Sequence, residues 1–245
     1  MKFVAIIPSR LESSRLPNKA LIDILGMPMI VHVFKRCEMS KKLSEVYVAT
    51  DSLKIKKVVE EFGGNIIMTS SNHQTGTDRI AEACQSIEAD VIVNIQGDEA
   101  LVKPDHIDSV CEAMEENKDL NVAILVNKYQ LKNNPSSIKV VLNEASEVMY
   151  FSRNDLPSDA RTEVDNMLKA YHIIPFKKEF LLEYSSWGQT KLETIEFNEY
   201  LRILEKGYKI KAVEVSSSAI SVDTQDDLDL VRKQMDRDII YTAYK

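Results

Sequence analysis

Cysteine and glycine are both scarce in this sequence. Its three cysteines, Cys37, Cys84 and Cys111, are far apart and form no CxxC pair, so we predict neither a disulfide framework nor a zinc ribbon. Each lies in an amphipathic, helix-like stretch, which favours a buried apolar role. The seven glycines form neither GxGxxG nor GxxxxGKS, which argues against a dinucleotide fingerprint and a P-loop. The four histidines form no HExxH pattern, so we expect no zinc site of that kind.

Long apolar runs and an excess of positive charge are also missing. Residues 3–7 are apolar, but Pro8 and Ser9 end this run, so we expect no signal peptide. No stretch is long and apolar enough for a membrane-spanning helix. The net charge of -7 argues against a nucleic-acid or anionic-membrane partner. A cytoplasmic protein is the default expectation.

The first half of the chain alternates short β-rich runs with helical patterns. The continuous apolar run at residues 3–7 is typical of a strand buried on both faces. Further strands are predicted at 45–50, 65–68, 90–95 and 122–126. The intervening helices are predicted at 28–39, from an Asp51 N-cap to about Gly63, at 77–87 and at 104–116. This alternation predicts an α/β fold, with a doubly wound, mostly parallel sheet and helices on both faces.

The pattern changes after Asn127. Strands are predicted at 138–142, 148–152, 170–176 and 208–215, and helices at 193–206 and 224–237. The last helix would be capped by Asp223 or Thr224. Residues 155–167 are polar and loop-like, and residues 238–245 are predicted to be a frayed tail. Because no Gly/Ser linker divides the chain, we predict a single domain over 1–245, with a nucleotide-binding half (1–127) and a small mixed substrate-binding elaboration (128–237).

The loop after the first strand carries three cations, Arg10, Arg15 and Lys19, within the sequence RLESSRLPNK. In a doubly wound sheet this loop opens at the carboxyl edge, where ligands bind. Arginine offers forked donors and lysine a mobile point charge, so the loop can bind a triphosphate through its side chains. The alternative is a solvated basic loop, but its position after the first strand favours phosphate binding.

Two carboxylates are candidates for a magnesium site. Asp98 follows the apolar strand at 90–95 directly, and Gly97 before it allows a sharp turn or a close approach. Asp223 also ends an apolar run and precedes a helix. Mg²⁺ prefers a few carboxylates together with phosphate oxygens and water. A turn at Asp98 and a helix cap at Asp223 are the simpler alternatives.

A fourth segment, HQTGTDR at residues 73–79, lies before a predicted helix. Its small and hydroxyl-bearing residues suit recognition of a flat base or a ribose. His73 by itself is best interpreted as a surface histidine with a satisfied hydrogen bond.

Taken together, these segments resemble the CMP-sugar synthetase family, and in particular its 3-deoxy-manno-octulosonate (Kdo) cytidylyltransferases, which activate Kdo for lipopolysaccharide. That family carries RxxSxRLPxK, VATD, HxSGTxR, QGDEP, YFSR and GVDTxxDL in this order. The corresponding segments here are RLESSRLPNK (10–19), VATD (48–51), HQTGTDR (73–79), QGDEA (96–100), YFSR (150–153) and SVDTQDDL (221–228). The similarity extends from residue 3 to about residue 235.

The resemblance implies a glycosyltransferase-A-like fold, CTP as the donor, Mg²⁺, and a homodimer formed through the half at 128–237. It assigns Arg10, Lys19, Asp98 and Asp223 to catalysis, with Asp98 and Asp223 holding Mg²⁺. The nucleotide would be bound by Arg10, Arg15, Lys19, Asp51, Thr75, Gly76, Thr77 and Gln96. The acidic sugar would be bound by Gln96, Arg153, His172, Glu196 and Tyr200.

The departures from the family pattern cluster in the acceptor half. QGDEP is replaced by QGDEA at Ala100. Against the family's KHxGxYxY strand, this chain has Ala170 at the histidine, His172 at the glycine and Ile174 at the first tyrosine. Tyr200 stands where the family's LExxExLEQLR helix has glutamine. Because a pocket that hydrogen-bonds particular hydroxyls discriminates strongly on them, the acceptor could differ from Kdo.

The mechanism implied is in-line attack by the anomeric hydroxyl of the sugar on the α-phosphorus of CTP, with release of pyrophosphate. Three rivals stay open. The first is a cytidylyltransferase for another acid, such as 8-amino-Kdo or a different nonulosonate. The second is a nucleotide-binding protein that has lost catalysis. The third is a dinucleotide-dependent oxidoreductase, which the missing GxGxxG and the cationic first loop oppose.

Overall fold

The structure is a computed structural model that describes residues 1–13, 15–73 and 75–245. Ser14 of the first loop and Gln74 of the HQTGTDR segment lie outside the described residues. The strands in chain order are β1 (Phe3–Ser9), β2 (Asp23–Ile24), β3 (Met27–Pro28), β4 (Leu43–Thr50), β5 (Asn65–Met68), β6 (Val91–Ile95), β7 (Ala123–Tyr129), β8 (Lys139–Leu142), β9 (Val148–Ser152), β10 (Met167–Tyr171), β11 (Ile173–Lys177) and β12 (Lys211–Val215).

The helices in chain order are α1 (Met29–Glu38), α2 (Leu53–Glu61), α3 (Gly76–Cys84), α4 (Pro104–Glu116), α5 (Lys178–Ser185), α6 (Lys191–Glu196), α7 (Leu201–Glu205), α8 (Gln225–Met235) and α9 (Ile239–Thr242). A single 3-10 turn spans Lys19–Leu21. Among the described residues, no helix is long and apolar enough to cross a membrane.

The first sheet is the predicted doubly wound sheet. Its strand order is β11-β6-β1-β4-β5, and β1, β4, β5 and β6 run parallel, while β11 pairs antiparallel with β6. Alternate side chains of β1 enter two different cores: Val4 and Ile6 pack with α3, whereas Phe3 and Ile7 pack with α1. Helices therefore cover both faces, as predicted.

The fifth predicted strand, at 122–126, is placed differently. It becomes β7, which lies in a second sheet of order β12-β7-β10-β8-β9. There β7 pairs parallel with β12 and antiparallel with β10. The place beside β6 in the first sheet is taken by β11 instead. The prediction that all five strands share one parallel sheet is therefore wrong, although the first sheet is mostly parallel.

Two other elements predicted as continuous are each divided in two. The strand at 170–176 is split at His172 into β10, which belongs to the second sheet, and β11, which belongs to the first. The helix at 193–206 is split into α6 and α7 around Phe197, which has a left-handed φ of 51°. The predicted strand at 208–215 begins only at Lys211.

Caps and ends show the remaining differences. Ser52, not Asp51, caps α2, because its side chain accepts a hydrogen bond from the Ile55 amide. Thr224 caps α8 in a capping box with Asp227, which is one of the two caps predicted there. The three cysteines are buried, as expected.

The predicted frayed tail is also wrong. Residues 239–242 form α9, and Asp238 forms an ion pair with the fully buried Arg36 of α1. Tyr244 adds its hydroxyl, which accepts a hydrogen bond from Arg36 at 3.0 Å. The end of the chain is therefore packed against α1.

Candidate active site

The predicted phosphate loop and the predicted carboxylate Asp98 each follow one of two neighbouring parallel strands. The cationic loop follows β1, and Asp98 follows β6, which pairs with β1 in parallel. Gly97 lies directly against β1, because a Cβ there would be 3.0 Å from the Pro8 carbonyl oxygen. The close approach predicted for this glycine is therefore present, and it brings Asp98 beside the first loop.

Lys19 is the centre of a charge cluster at this edge. Its Nζ donates to Asp98 Oδ2 at 2.7 Å and to Asp223 Oδ1 at 3.2 Å. Arg15 donates to the same Asp223 oxygen at 2.9 Å. Burial alone would lower the pKa of Lys19, but the carboxylates of Asp98 and Asp223 outweigh it and raise the pKa. The lysine is therefore held in its charged form between two carboxylates.

A pocket of about 330 Å³ opens over this cluster. The predicted site residues that line it are Arg10, Arg15, Lys19, Thr75, Gly76, Gln96, Asp98 and Asp223. The pocket also has lining residues that the sequence interpretation did not select: Ser9, Glu12, Ser13 and Arg79. In the part of the chain that the structure describes, Asp51, Thr77, Arg153, His172, Glu196 and Tyr200 are not among its lining residues.

The turn predicted to recognise the base forms the start of α3. Thr75 caps this helix, in a capping box with Asp78. The Thr77 side chain is buried and donates a hydrogen bond to Glu199 Oε1 at 2.8 Å. Glu199 therefore joins this turn to the acceptor half, a connection that sequence inspection did not find. Asp51 lies behind the turn, where it forms an ion pair with the buried Arg79 at 3.4 Å.

A chain of polar contacts leads from the pocket into the acceptor half. Gln96 Nε2 donates to Asn94 Oδ1 at 3.2 Å, and Asn94 Nδ2 contacts the Tyr200 hydroxyl at 3.4 Å. The Tyr200 ring stacks on His172, with centroids 5.9 Å apart. Burial is the main cause that lowers the pKa of His172 to about 4, and the positive charge of Lys169 adds to the shift. His172 is therefore a neutral imidazole at physiological pH.

Arg153 and Glu196 form a second polar group, between β9 and α6. The Glu196 carboxylate accepts from the Arg153 amide at 2.9 Å and from Ser152 Oγ at 2.9 Å. The Arg153 guanidinium donates to the carbonyls of Pro135, Glu196 and Phe197 at 2.8 to 3.0 Å. These contacts hold the end of β9 to the break between α6 and α7. In a sugar-binding role, Arg153 would use the guanidinium N–H groups that the three carbonyls do not occupy.

Glu99 is a buried carboxylate that the sequence interpretation passed over. It is only 2% exposed, and its Oε1 accepts a hydrogen bond from Ser221 Oγ at 2.5 Å. Burial, reinforced by the neighbouring Asp98 charge, raises the pKa of Glu99 to about 7. The available signal was its place beside Asp98 at the end of an apolar strand.

A doubly wound, mostly parallel sheet with a cationic first loop, and with two carboxylates converging at its carboxyl edge, is typical of a nucleotidyltransferase-like α/β protein. The chain belongs to the cytidylyltransferase family, whose model matches residues 4–210. It is 45% identical over 236 residues to the 3-deoxy-manno-octulosonate cytidylyltransferase of Fusobacterium nucleatum, covering 94% of this chain and 96% of that protein. The protein of the same name from Escherichia coli is 36% identical over 244 residues, 99% of both chains.

A solved structure agrees with these relatives. CMP:2-keto-3-deoxy-manno-octonic acid synthetase complexed with CTP superposes with a TM-score of 0.93 at 37% identity, covering 97% of this chain and 99% of that chain. These matches confirm the resemblance to the Kdo cytidylyltransferases, the α/β nucleotidyltransferase fold and the cytidylyltransferase activity.

Proposed function

We propose that this chain transfers CMP from CTP to the anomeric hydroxyl of Kdo or a Kdo-like 2-keto acid sugar and releases pyrophosphate, in a reaction that depends on Mg²⁺. The observation that carries the proposal is the convergence of Lys19, Asp98 and Asp223 at the carboxyl edge of the first sheet. Relatives with near-complete coverage carry the name of this activity. The proposed location is the cytoplasm.

The cations of the first loop are proposed to hold the triphosphate. Arg10, Arg15 and Lys19 line one pocket together with Arg79. Arg10 would bind the β- and γ-phosphates, and Lys19 would stabilise charge that develops on the α-phosphoryl oxygens. Gly76 at the start of α3 lines the same pocket, and a Cβ there would be 3.2 Å from Pro8 Cγ, so glycine lets this turn pack closely against the end of β1.

Asp98 and Asp223 fit a magnesium ion. One oxygen of each carboxylate is within 3.2 Å of the single Lys19 ammonium, so their oxygens already converge on one cation. Mg²⁺ needs only a few protein carboxylates, because phosphate oxygens and water complete its shell. When bound, Mg²⁺ supplies charge neutralisation at the phosphates and the attacking oxygen.

The chain's own residues would perform positioning and charge stabilisation. The anomeric oxygen attacks the α-phosphorus, the bond to the bridging oxygen of the leaving pyrophosphate breaks, and the hydroxyl proton is released. Such a displacement needs the reactants held in line more than it needs a covalent catalyst. Gln96 lines the same pocket and bonds to Asn94, which supports its proposed contact with both substrates.

The identity of the acceptor is the more specific part of the proposal. Ala170 and Ile174 are buried apolar residues where the family pattern has a histidine and a tyrosine, and Tyr200 replaces its glutamine. We therefore propose Kdo as the leading acceptor and 8-amino-Kdo or a nonulosonate as the alternative. The residues proposed to bind the acceptor are Arg153, His172, Glu196 and Tyr200.

We also propose that the chain forms a homodimer.

The test is pyrophosphate release with CTP, Mg²⁺ and a panel of acidic sugars that includes Kdo, 8-amino-Kdo and nonulosonates. Release with Kdo at the highest kcat/KM supports the proposal. A higher kcat/KM for another acid identifies the alternative acceptor. CTP binding without release for any sugar contradicts catalysis and supports the binding-only reading.

Asp98→Asn tests the metal assignment. The variant removes a charge that the metal and the transition state both need, so we expect kcat to fall by about 100-fold or more. Asp229→Asn, an exposed position on α8, is the matched control and should keep wild-type activity. Both variants should keep the circular dichroism spectrum of the wild type. Near-normal turnover in Asp98→Asn would contradict the assignment.

A further inference from the structure

The two loops that carry Asp98 and Asp223 are fastened to each other directly. The amide of Val222 donates to the Asp98 carbonyl oxygen at 3.1 Å. Beside this bond, Ser221, which precedes Val222, donates its Oγ to Oε1 of Glu99, which follows Asp98, at 2.5 Å. The side-chain bond between Ser221 and Glu99 therefore lies next to the backbone bond between Val222 and Asp98.

The Glu99 end of the side-chain bond is deeply buried. Glu99 is 2% exposed, and Ala100 and Val222 on either side of the junction are fully buried. Within residues 1–13, 15–73 and 75–245, its second oxygen, Oε2, is buried without a hydrogen-bond partner. A buried carboxylate oxygen without a partner is costly, so the bond from Ser221 accounts for much of what holds this side chain in place.

Ser221 is one of the positions at which this chain departs from its family pattern. The family's GVDTxxDL segment has glycine where this chain has serine. Glycine has no side chain and cannot donate this hydrogen bond. A chain with glycine at this position would keep only the backbone bond from Val222 between the two loops.

We propose that the Glu99–Ser221 hydrogen bond positions Asp98 against Asp223 and so sets the affinity of the two carboxylates for a divalent cation. Asp98 and Asp223 repel each other, and Lys19, which bridges them here, would be drawn toward a bound triphosphate, so the hydrogen bonds between the loops are then needed to keep the carboxylates close. Glu99 and Ser221 act through their neighbours and are positioning residues. The inference rests on the proposed function, because it assumes that Asp98 and Asp223 hold the metal.

The test compares Ser221→Ala and Ser221→Gly with wild type in two measurements. The first is the Mg²⁺ concentration that gives half-maximal pyrophosphate release. The second is Mn²⁺ binding to the CTP complex without an acceptor, followed by electron paramagnetic resonance. Since residues that orient metal ligands typically contribute 10- to 100-fold in metal affinity, we expect both constants to rise about 10-fold. The kcat at saturating metal and the KM for the sugar should change little.

Ser40→Ala is the matched control. Ser40 is nearly buried, and its hydroxyl donates to Asp108 Oδ1 at 2.5 Å, so the variant loses an equally short serine–carboxylate bond away from the active site. It should lower thermal stability without changing either metal constant. Ser221→Thr keeps the hydroxyl and should restore metal affinity. Because the family pattern carries glycine at this position, Ser221→Gly is expected to fold.

Equal metal constants in Ser221→Ala, Ser221→Gly and Ser40→Ala would overturn the inference. Failure of the proposed function gives a different result. In that case wild type releases no pyrophosphate with any sugar, and the Mn²⁺ measurement still decides whether Ser221 positions the two carboxylates.

Discussion

Lys19 contacts both carboxylates of the pocket, and its position explains why a metal fits the proposed reaction. Its ammonium pairs with Asp98 and Asp223, and Arg15 adds the second positive charge that balances the two carboxylates. A bound triphosphate would compete with the carboxylates for these same cations. The carboxylates would then need another positive charge, and a divalent cation shared with the phosphates supplies it.

His172 should make folding stability depend on pH. Its pKa is lowered to about 4 in the folded chain, against about 6.5 in an unfolded chain. Between these values the unfolded chain binds a proton that the folded chain excludes, so stability is fully present above pH 6.5 and falls as the pH decreases toward 4. The charged groups that act on the imidazole are Lys169, Asp98 and Arg153.

The measurement is urea unfolding of wild type and His172→Gln at pH 7, 6, 5 and 4. From pH 7 to pH 4, wild type should lose on the order of 2–3 kcal/mol of unfolding free energy relative to the variant. A constant difference between the two proteins over this range would show that His172 is not held neutral by its surroundings.

Elements whose boundaries depend on distant contacts are the ones that the sequence did not predict. The apolar run through His172 continues without a Gly or Pro at the break, yet β10 pairs with β7 and β11 pairs with β6. Hydrophobic periodicity identifies a strand but not its partner. Likewise, no helix breaker marks Phe197, where the turn is held by Arg153, which donates to the Phe197 carbonyl at 3.0 Å.

The C-terminal segment shows the same limit and gives a stability prediction. Arg36 is fully buried and has Asp238 as its ion-pair partner. Deleting residues 238–245 would leave a buried charge unpaired, which costs about 3–5 kcal/mol. For a chain of this size we expect the Tm to fall by about 6–20 °C.

Differential scanning fluorimetry checks this expectation with a rescue variant. Arg36→Met in the truncated chain removes the unpaired charge, so it should recover part of the lost Tm. The same substitution in the full-length chain should lower the Tm, because it leaves Asp238 without its partner. An unchanged Tm after truncation would mean that the segment contributes no stability.

At the scale of the whole molecule, the site joins residues from opposite ends of the chain. Arg15 and Asp223 are 208 positions apart, yet they form an ion pair. Each could be selected from the sequence because it follows a predicted strand or precedes a predicted helix. That they meet depends on the packing of α8 and the preceding loop against the first sheet, which only the family resemblance indicated in advance.

The charge distribution also becomes clear only at this scale. The chain has a net charge of -7, yet Arg10, Arg15, Lys19 and Arg79 all line one pocket. Glu12, Asp98 and Asp223 line the same pocket, so four cations face three carboxylates and the pocket keeps a small positive excess. A net negative charge argues against a general polyanion-binding surface, whereas this local excess suits the triphosphate proposed to bind there.

The proposed homodimer makes a prediction about the surface of the acceptor half. Leu131, Met149, Ile195 and Phe197 are each at least 60% exposed, and β9 is an end strand of the second sheet. Exposed apolar side chains beside an open strand edge favour association with another chain.

We expect wild type to be a dimer in light scattering coupled to size exclusion, and Phe197→Asp to shift it toward monomer. Because aspartate tolerates a left-handed φ better than phenylalanine, the variant should fold. Leu53→Asp, an equally exposed change on α2 in the nucleotide half, should leave the dimer intact. A monomeric wild type, or a dimer that Phe197→Asp does not weaken, would contradict this interface.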